Sequence, residues 1–451
     1  MTPAFPRQRA AIGERHPVDE MLPAARLIGL GAQNVLVMYA NAVAVPMIVG
    51  AALHLSRAQL AILITCDLFV CGLTTILQAA GWWRLGIRLP IIMGVTAVAI
   101  SPLAAIAAMP GMGAPGLFGS VIAAGLVALC MAPFVRHFLG FFPPVVTGSI
   151  ITMIGVSLLR IGVNWAGGGA DAPDFGAPAH LGLAAFVLGV TLLILRLGRG
   201  LIANSAVMIG LAAGYMLSIM LGQVDLSGVG QQPWVAVVQP FYFGAPTFHL
   251  IPIATMVVVM TIVFIEATGM FLALGSMTGR EVGPDDITRG LLADATATII
   301  GGVFNTFPFV SYSQNIGLVG VTGIVSRWVC VTAGVIMIWL GLLPKLAYIV
   351  ASVPKAALGG ASFLLFGMVA ASGIRMLASV DYAASRANSL IVAISIGFGL
   401  IPICAPQFFQ AMPASLHPVF NDGIILTSFA ALLMNAAFND LRPTKRFGEQ
   451  G

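Results

Sequence analysis

Long apolar runs, broken by glycine, proline or a few charges, follow one another from about residue 25 to residue 440. A helix that crosses a bilayer needs about 20 consecutive apolar residues. On that measure the pattern predicts about 14 crossings, centred near residues 35, 69, 98, 126, 153, 190, 211, 262, 295, 317, 333, 365, 395 and 431. A membrane β-barrel would show short segments of alternating polarity, whereas these runs are long and unbroken, so the prediction is an all-α polytopic membrane protein.

Two stretches do not fit a simple span. In "RLPIIMGVTAVAISPL" Pro90 and Pro102 bracket an apolar stretch that contains Gly94. In "FNTFPFVSYSQNIGLVG" the residues from Phe309 to Ser313 alternate with period two, then give way to a glycine-punctuated helical pattern. This reads as a short extended stretch leading into a half-helix. Interrupted segments in corresponding places of two halves point to a transporter built from inverted repeats, with its site at the repeat interface. Extended backbone is tolerated at that depth only where it is buried in protein or lines a cavity. Ser313, Gln314 and Asn315 then stand at a half-helix N-terminus, where free N–H groups and the positive dipole end suit acceptor atoms of a polar ligand. Helix-to-helix hydrogen bonding by Gln314 and Asn315 is the plainer alternative.

Composition agrees with a membrane protein. The chain has 451 residues, 59% hydrophobic and 8% charged, with mean hydropathy +1.00, against about 25% charged in soluble domains. The net charge of +5 reflects topology: of 21 Lys and Arg, all but Arg57, Arg160, Lys345 and Lys355 fall on one side of the predicted spans. The positive-inside rule assigns that side to the cytoplasm, together with both termini. Nothing in the charge suggests nucleic acid. Residues 1–20 are charged and carry prolines without an apolar h-region, which predicts a cytoplasmic tail rather than a cleaved signal peptide. Cys66, Cys71, Cys130, Cys330 and Cys404 fall in apolar runs with no metal-ligand spacing and read as packing residues, so neither a metal nor a cofactor is expected.

An ionisable group at mid-bilayer costs about 2.5–3.5 kcal/mol on insertion scales, which makes each one a functional candidate. Three acids qualify. Glu266 lies midway along "IPIATMVVVMTIVFIEATGMFLALG", too deep to reach the interface, and shares a helical face with Ile262, Gly269, Met270 and Ala273, whose small members leave room for an approaching group. A protonated Glu bonded to a neighbouring helix is the alternative. Asp294 opens a Thr- and Gly-rich span and can serve substrate or proton traffic, or tie down freed backbone. Asp67, in "ITCDLFVCG", reads first as structural. No histidine lies well inside a span, so any proton relay rests on carboxylates.

The motif "QNIGLVGVTG" resembles the signature of the nucleobase-ascorbate transporter (nucleobase:cation symporter) family, with Gln314, Asn315, Gly317 and Thr322 in the pattern Q/E-N-x-G-x-x-x-x-T. "VLVMYANAVAVPMIVG", "RLPIIMGVT", "FFPPVVTGSIITMIGVSL" and "FIEATG" are similar to other family stretches, and the resemblance runs over roughly residues 25 to 440. It implies 14 segments in two inverted repeats of seven, with short antiparallel strands in segments 3 and 10. It also implies a core domain in two parts (25–140, segments 1–4; 225–343, segments 8–11), a gate domain in two parts (141–224, segments 5–7; 344–440, segments 12–14), and tails at 1–24 and 441–451.

By the same resemblance, Glu266 accepts hydrogen bonds from the ring N–H groups of a purine base, Gln314 reads its other edge, and Ala97 and Ser313 border it. Asp294, Asn315, Gln33, Asp67 and Thr96 would couple protons or support the site. Gln followed later by Thr-Gly resembles the purine branch, which carries xanthine or uric acid together with a proton. A uracil permease of the same family and an inorganic-anion transporter of the same fold are the alternatives. The chain departs from common family residues at Asn34, Met270 and Ala97, where many members carry His, Asp and an aromatic ring. A homodimer in a bacterial inner membrane is implied. An enzyme is not, since there is no nucleophile–base pair, metal cluster or phosphate-cradling loop.

Overall fold

A computed structural model of the protein describes residues 16–109, 111–135, 143–169, 172–199, 201–312, 319, 323–383, 385–412 and 420–439. Within them the helices are α1 (Ala24–Ala52), α2 (Arg57–Ala80), α3 (Ile100–Ala107), α4 (Gly113–Met131), α5 (Pro144–Ala166), α6 (Pro178–Leu197) and α7 (Ala206–Met220). The second half holds α8 (Leu250–Thr278), α9 (Pro284–Val303), α10 (Arg327–Gly341), α11 (Pro344–Ala351), α12 (Lys355–Ala378), α13 (Arg386–Cys404) and α14 (Gly423–Phe438). Two three-residue strands, β1 (Met93–Val95) and β2 (Phe309–Ser311), complete it.

Helix limits follow from local chemistry. Ser56 and Gln59 form a reciprocal capping box that starts α2, and Gly81 ends it at φ +71. Gly279, in the left-handed region, ends α8. Prolines occupy the first helical position of α5, α6 and α9, where the missing N–H costs nothing. Asp422 caps α14 by accepting from Ile424 N and Ile425 N at 2.8 and 2.9 Å.

Among the described residues, seven helices are long and apolar enough to cross a membrane, or eight if α10 and α11, which meet at 82°, are counted as one broken span. The chain is therefore a multi-pass membrane protein. Four shorter apolar helices, Ala42–Ala52, Ala97–Ala107, Ala206–Met220 and Gly423–Phe438, accompany them.

Packing joins helices distant in sequence, and it does so twice over. Helix α2 lies against α10 as α9 lies against α4; α1 lies against α10 as α8 lies against α4. In a second bundle α6 lies against α12 as α13 lies against α5, α5 against α14 as α12 against α7, and α6 against α7 as α13 against α14. The α5–α12 contact, the most extensive in the molecule, and the β1–β2 pair are their own counterparts. The second bundle closes on small residues: a Cβ at Gly155 would overlap the backbone of Ala370, and one at Gly359 the backbone of Ala166. Without a hydrophobic drive inside lipid, such close approach gives helices their packing energy.

A long connection, residues 221–249, runs from α7 to α8 and is strapped to the first bundle. Ala236 N donates to Leu342 O, Phe241 N to Val303 O and Thr247 N to Pro115 O. Asn305 holds it from both sides, donating to Gln239 O at 2.9 Å and accepting from Phe243 N at 3.4 Å. Two cysteines correct the expectation of packing: Cys130 and Cys404 are exposed, while Cys66, Cys71 and Cys330 are buried.

Candidate functional site

The strands pair antiparallel with Met93 opposite Ser311, Gly94 opposite Val310 and Val95 opposite Phe309. Tyr312 N→Ile92 O and Thr96 N→Pro308 O, both 2.8 Å, carry the ladder one residue further at each end. So short a sheet leaves outer backbone groups to satisfy, and threonines from flanking helices supply them. Thr75 of α2 accepts from Met93 N at 3.0 Å, and Thr298 of α9 accepts from Phe309 N at 3.2 Å. The Tyr312 ring lies against Gly94, where any Cβ would overlap it, and its hydroxyl donates to Val95 O at 3.0 Å.

Two buried acids brace the pair from opposite sides. Asp67 of α2 accepts from Thr306 Oγ1 at 2.5 Å, just before β2, with Cys71 Sγ 3.7 Å away. Asp294 of α9 accepts from Gln78 Nε2 at 2.9 Å, and its second oxygen is buried. Gln78 is a hub. Its amide N–H also reaches Gly290 O at 3.1 Å and Ser311 Oγ at 3.5 Å, while its carbonyl accepts from Ile87 N at 3.1 Å on the lead into β1.

Glu266 of α8 is half-buried, and among the described residues no hydrogen bond engages its carboxylate. It lies within electrostatic range of Asp294 and Tyr312. One turn on, a Cβ at Gly269 would meet nothing within 4 Å, which is the open face that the residue spacing predicted. Helix α8 packs against β2 and the turn at residues 97–99. Between Leu89 and Ile100 every residue is buried except Ala97, which is partly open. Thr96 is buried beside it and caps that turn by accepting from Val98 N at 3.2 Å.

The structure therefore brings Glu266, Asp294, Asp67, Thr96 and Ala97 around one strand pair. Gln33 is buried on α1, which packs against β1, and with Asn34, Pro90, Ser326 and Val329 it lines a cavity. Ser313, Gln314 and Asn315 lie outside the described residues. Sequence reasoning missed Gln78, Thr75, Thr298 and Thr306. A signal was there, because Asp67, Cys71, Thr75 and Gln78 recur at helical spacing and put a polar stripe on one face of an apolar helix.

The arrangement offers a carboxylate that no hydrogen bond engages among the described residues, beside a two-stranded floor and flanked by exposed small residues. Residues 25–408 match a family described as "Permease family". Over 431 residues, 95% of this chain and 89% of the relative, the sequence is 47% identical to the uric acid transporter UacT of Escherichia coli K12. The chain belongs to this permease family, the nucleobase-ascorbate transporters. Another nucleobase-ascorbate relative, the xanthine permease of Bacillus subtilis 168, is 40% identical over 425 residues, 94% of this chain and 96% of that one. The fold of this family member is similar to the transmembrane domain of a cyanobacterial bicarbonate transporter, BicA, with a TM-score of 0.60 at 16% identity over 92% of this chain and 98% of that one.

Proposed function

We propose that the protein imports a purine base, uric acid or xanthine, together with a proton. The observation that carries this reading is the half-buried Glu266 carboxylate, without a hydrogen bond among the described residues, next to the strand pair in a chain 47% identical to a uric acid transporter. An oxopurine displays alternating N–H donors and C=O acceptors on a flat ring. A carboxylate accepts from the donors, and an amide, the role we give Gln314, both donates and accepts. A site that pairs such groups rejects ligands that leave its polar atoms unmatched. An inorganic anion would gain nothing from a carboxylate at the site.

The duplicated packing supports the finer architecture. Among the described residues the seven full spans, the bent α10–α11 pair, α9 and the four shorter apolar helices fill 13 of the 14 places, and the tenth place, after β2, lies outside them. A shift of seven places maps the packing pairs onto one another, as two inverted repeats require. The bundle of α1–α4 and α8–α11 is then the core, and that of α5–α7 and α12–α14 the gate, against which the core rocks or slides. The chain would sit in an inner membrane with both termini cytoplasmic and pair with a second copy through the gate.

Protonation of Glu266 would link base and proton movement. One charge falling through 100 mV supplies about 2.3 kcal/mol, enough for tens-fold accumulation. The test is uptake of radiolabelled xanthine, urate and uracil by a transport-deficient bacterial strain, with and without protonophore, beside Glu266→Gln. Urate or xanthine uptake that collapses under either treatment supports the reading; uptake that persists unchanged under both would refute it.

A further inference from the structure

The connection that follows α2 holds a feature that transport does not use. Trp82 and Leu85 bond to each other in both directions at 2.9 and 2.8 Å, closing a tight turn. Trp83 and Arg88 sit at φ +51 and +59, a left-handed region costly for residues other than glycine. The turn is pinned to the start of α9 by Gly86 N→Arg289 O at 3.0 Å and Arg289→Trp83 O at 3.4 Å. From the end of α8, Arg280 donates to Arg88 O at 3.1 Å. This strained, anchored loop holds Trp82 and Trp83 outward, 76% and 83% exposed.

Four arginines belong to the turn or bond to it: Arg84 and Arg88 lie within it, and Arg280 and Arg289 donate to its backbone carbonyls. Among the described residues none of them takes part in an ion pair, and the hydrogen bonds of Arg280 and Arg289 go to backbone carbonyls. The Nε groups of Arg88 and Arg289 are buried, with no hydrogen-bond partner among the described residues. The nearest acids in sequence leave this charge free: Asp286 accepts from Gly283 N at 3.2 Å, and neither Glu281 nor Asp285 pairs with a guanidinium.

We propose that this turn docks the phosphate headgroup of an anionic phospholipid, with the two indoles at the headgroup–acyl boundary. Guanidinium forks match phosphate oxygens, and tryptophan favours the interface because its ring is apolar and its N–H is not. The proposal rests on the orientation given above, which puts the turn on the cytoplasmic side, where the leaflet is anionic. Because the turn is fixed to α8 and α9, the lipid would travel with the bundle that carries Glu266.

The test uses the full chain in nanodiscs, whose two faces are equally exposed, and reads indole fluorescence rather than uptake, so its result is independent of the cargo. Brominated phosphatidylglycerol should quench about two-fold more than brominated phosphatidylcholine at equal fraction. Trp82→Phe with Trp83→Phe should remove the excess, and so should Arg84→Gln, an exposed position whose change leaves the fold intact. Equal quenching by the two lipids, or a preference that survives Arg84→Gln paired with Arg280→Gln, would overturn the proposal and leave the patch to an acidic protein. Loss of the preference in millimolar inorganic phosphate would overturn it in favour of a soluble phosphate ligand.

Discussion

Where α5 crosses α12 the contact is made of glycine and alanine; around the strand pair, α2 and α9 reach each other through carboxylates, an amide and threonine hydroxyls. In the first region Gly155 faces Ala370 and Gly359 faces Ala166, backbone against backbone, and the polar side chains nearby bond within their own helix, as Thr152 does to Gly148 O at 2.7 Å. In the second, Asp67 reaches across to Thr306, and Gln78 joins Asp294, Gly290, Ser311 and Ile87. The difference teaches what each region is for. Close small-residue packing gives a stiff wall with no chemistry. A polar brace costs more to bury but fixes the position of strands that cannot hold themselves.

The comparison breaks most readily at the wall. Gly359→Leu forces a side chain into the Ala166 backbone, a strain of about 3 kcal/mol or more. Folded protein should be lost, seen as collapse of the monodisperse peak in fluorescence-detected size exclusion. Next comes the brace: Asp294→Leu removes the nearest acceptor of the Gln78 amide, at 2.9 Å, and leaves it Gly290 O and Ser311 Oγ, a loss of about 1–3 kcal/mol. Here folded protein should survive while urate uptake falls on the order of ten-fold.

A finer cut is the cycle of Gln78→Leu, Asp294→Leu and the double variant, followed by thermal unfolding in detergent. A coupling of about 1 kcal/mol is expected, and strict additivity would show that the two side chains do not brace one another. The smallest effect should come from Asp67→Asn, which keeps the acceptor oxygen for Thr306; a change in stability beyond about 1 kcal/mol would mean that its charge matters more than its hydrogen bond.

Much of this was legible in the residues, for reasons that can be named. Glu266 and Asp294 stood out because an acid deep in an apolar run is expensive, and both interrupted segments stood out because Pro90 and the Phe309–Ser313 alternation contradict a straight helix. The open face beside Glu266 followed from Gly269 at one helical turn. What stayed hidden was pairing. No local pattern says that Thr306 reaches Asp67 or that Gln78 reaches Asp294, because those contacts span more than 200 residues. Gln78 was also masked by its place near the end of a span, where a polar residue reads as an interface group. The 82° bend between α10 and α11 lies at "GLLPK", where Pro344 permits a break but does not set its angle.

The strap between α7 and α8 has a practical consequence. Tied at Leu342, Val303, Asn305 and Pro115, it follows the α4–α9–α10 bundle as a rigid handle, and Val237 on it is 82% exposed. A dye placed at Val237, with a second on exposed Phe429 of α14, turns the molecule into a ruler for single-molecule energy transfer. Under the core-against-gate motion proposed above, each transport cycle would become a change in colour rather than a count of radioactive substrate.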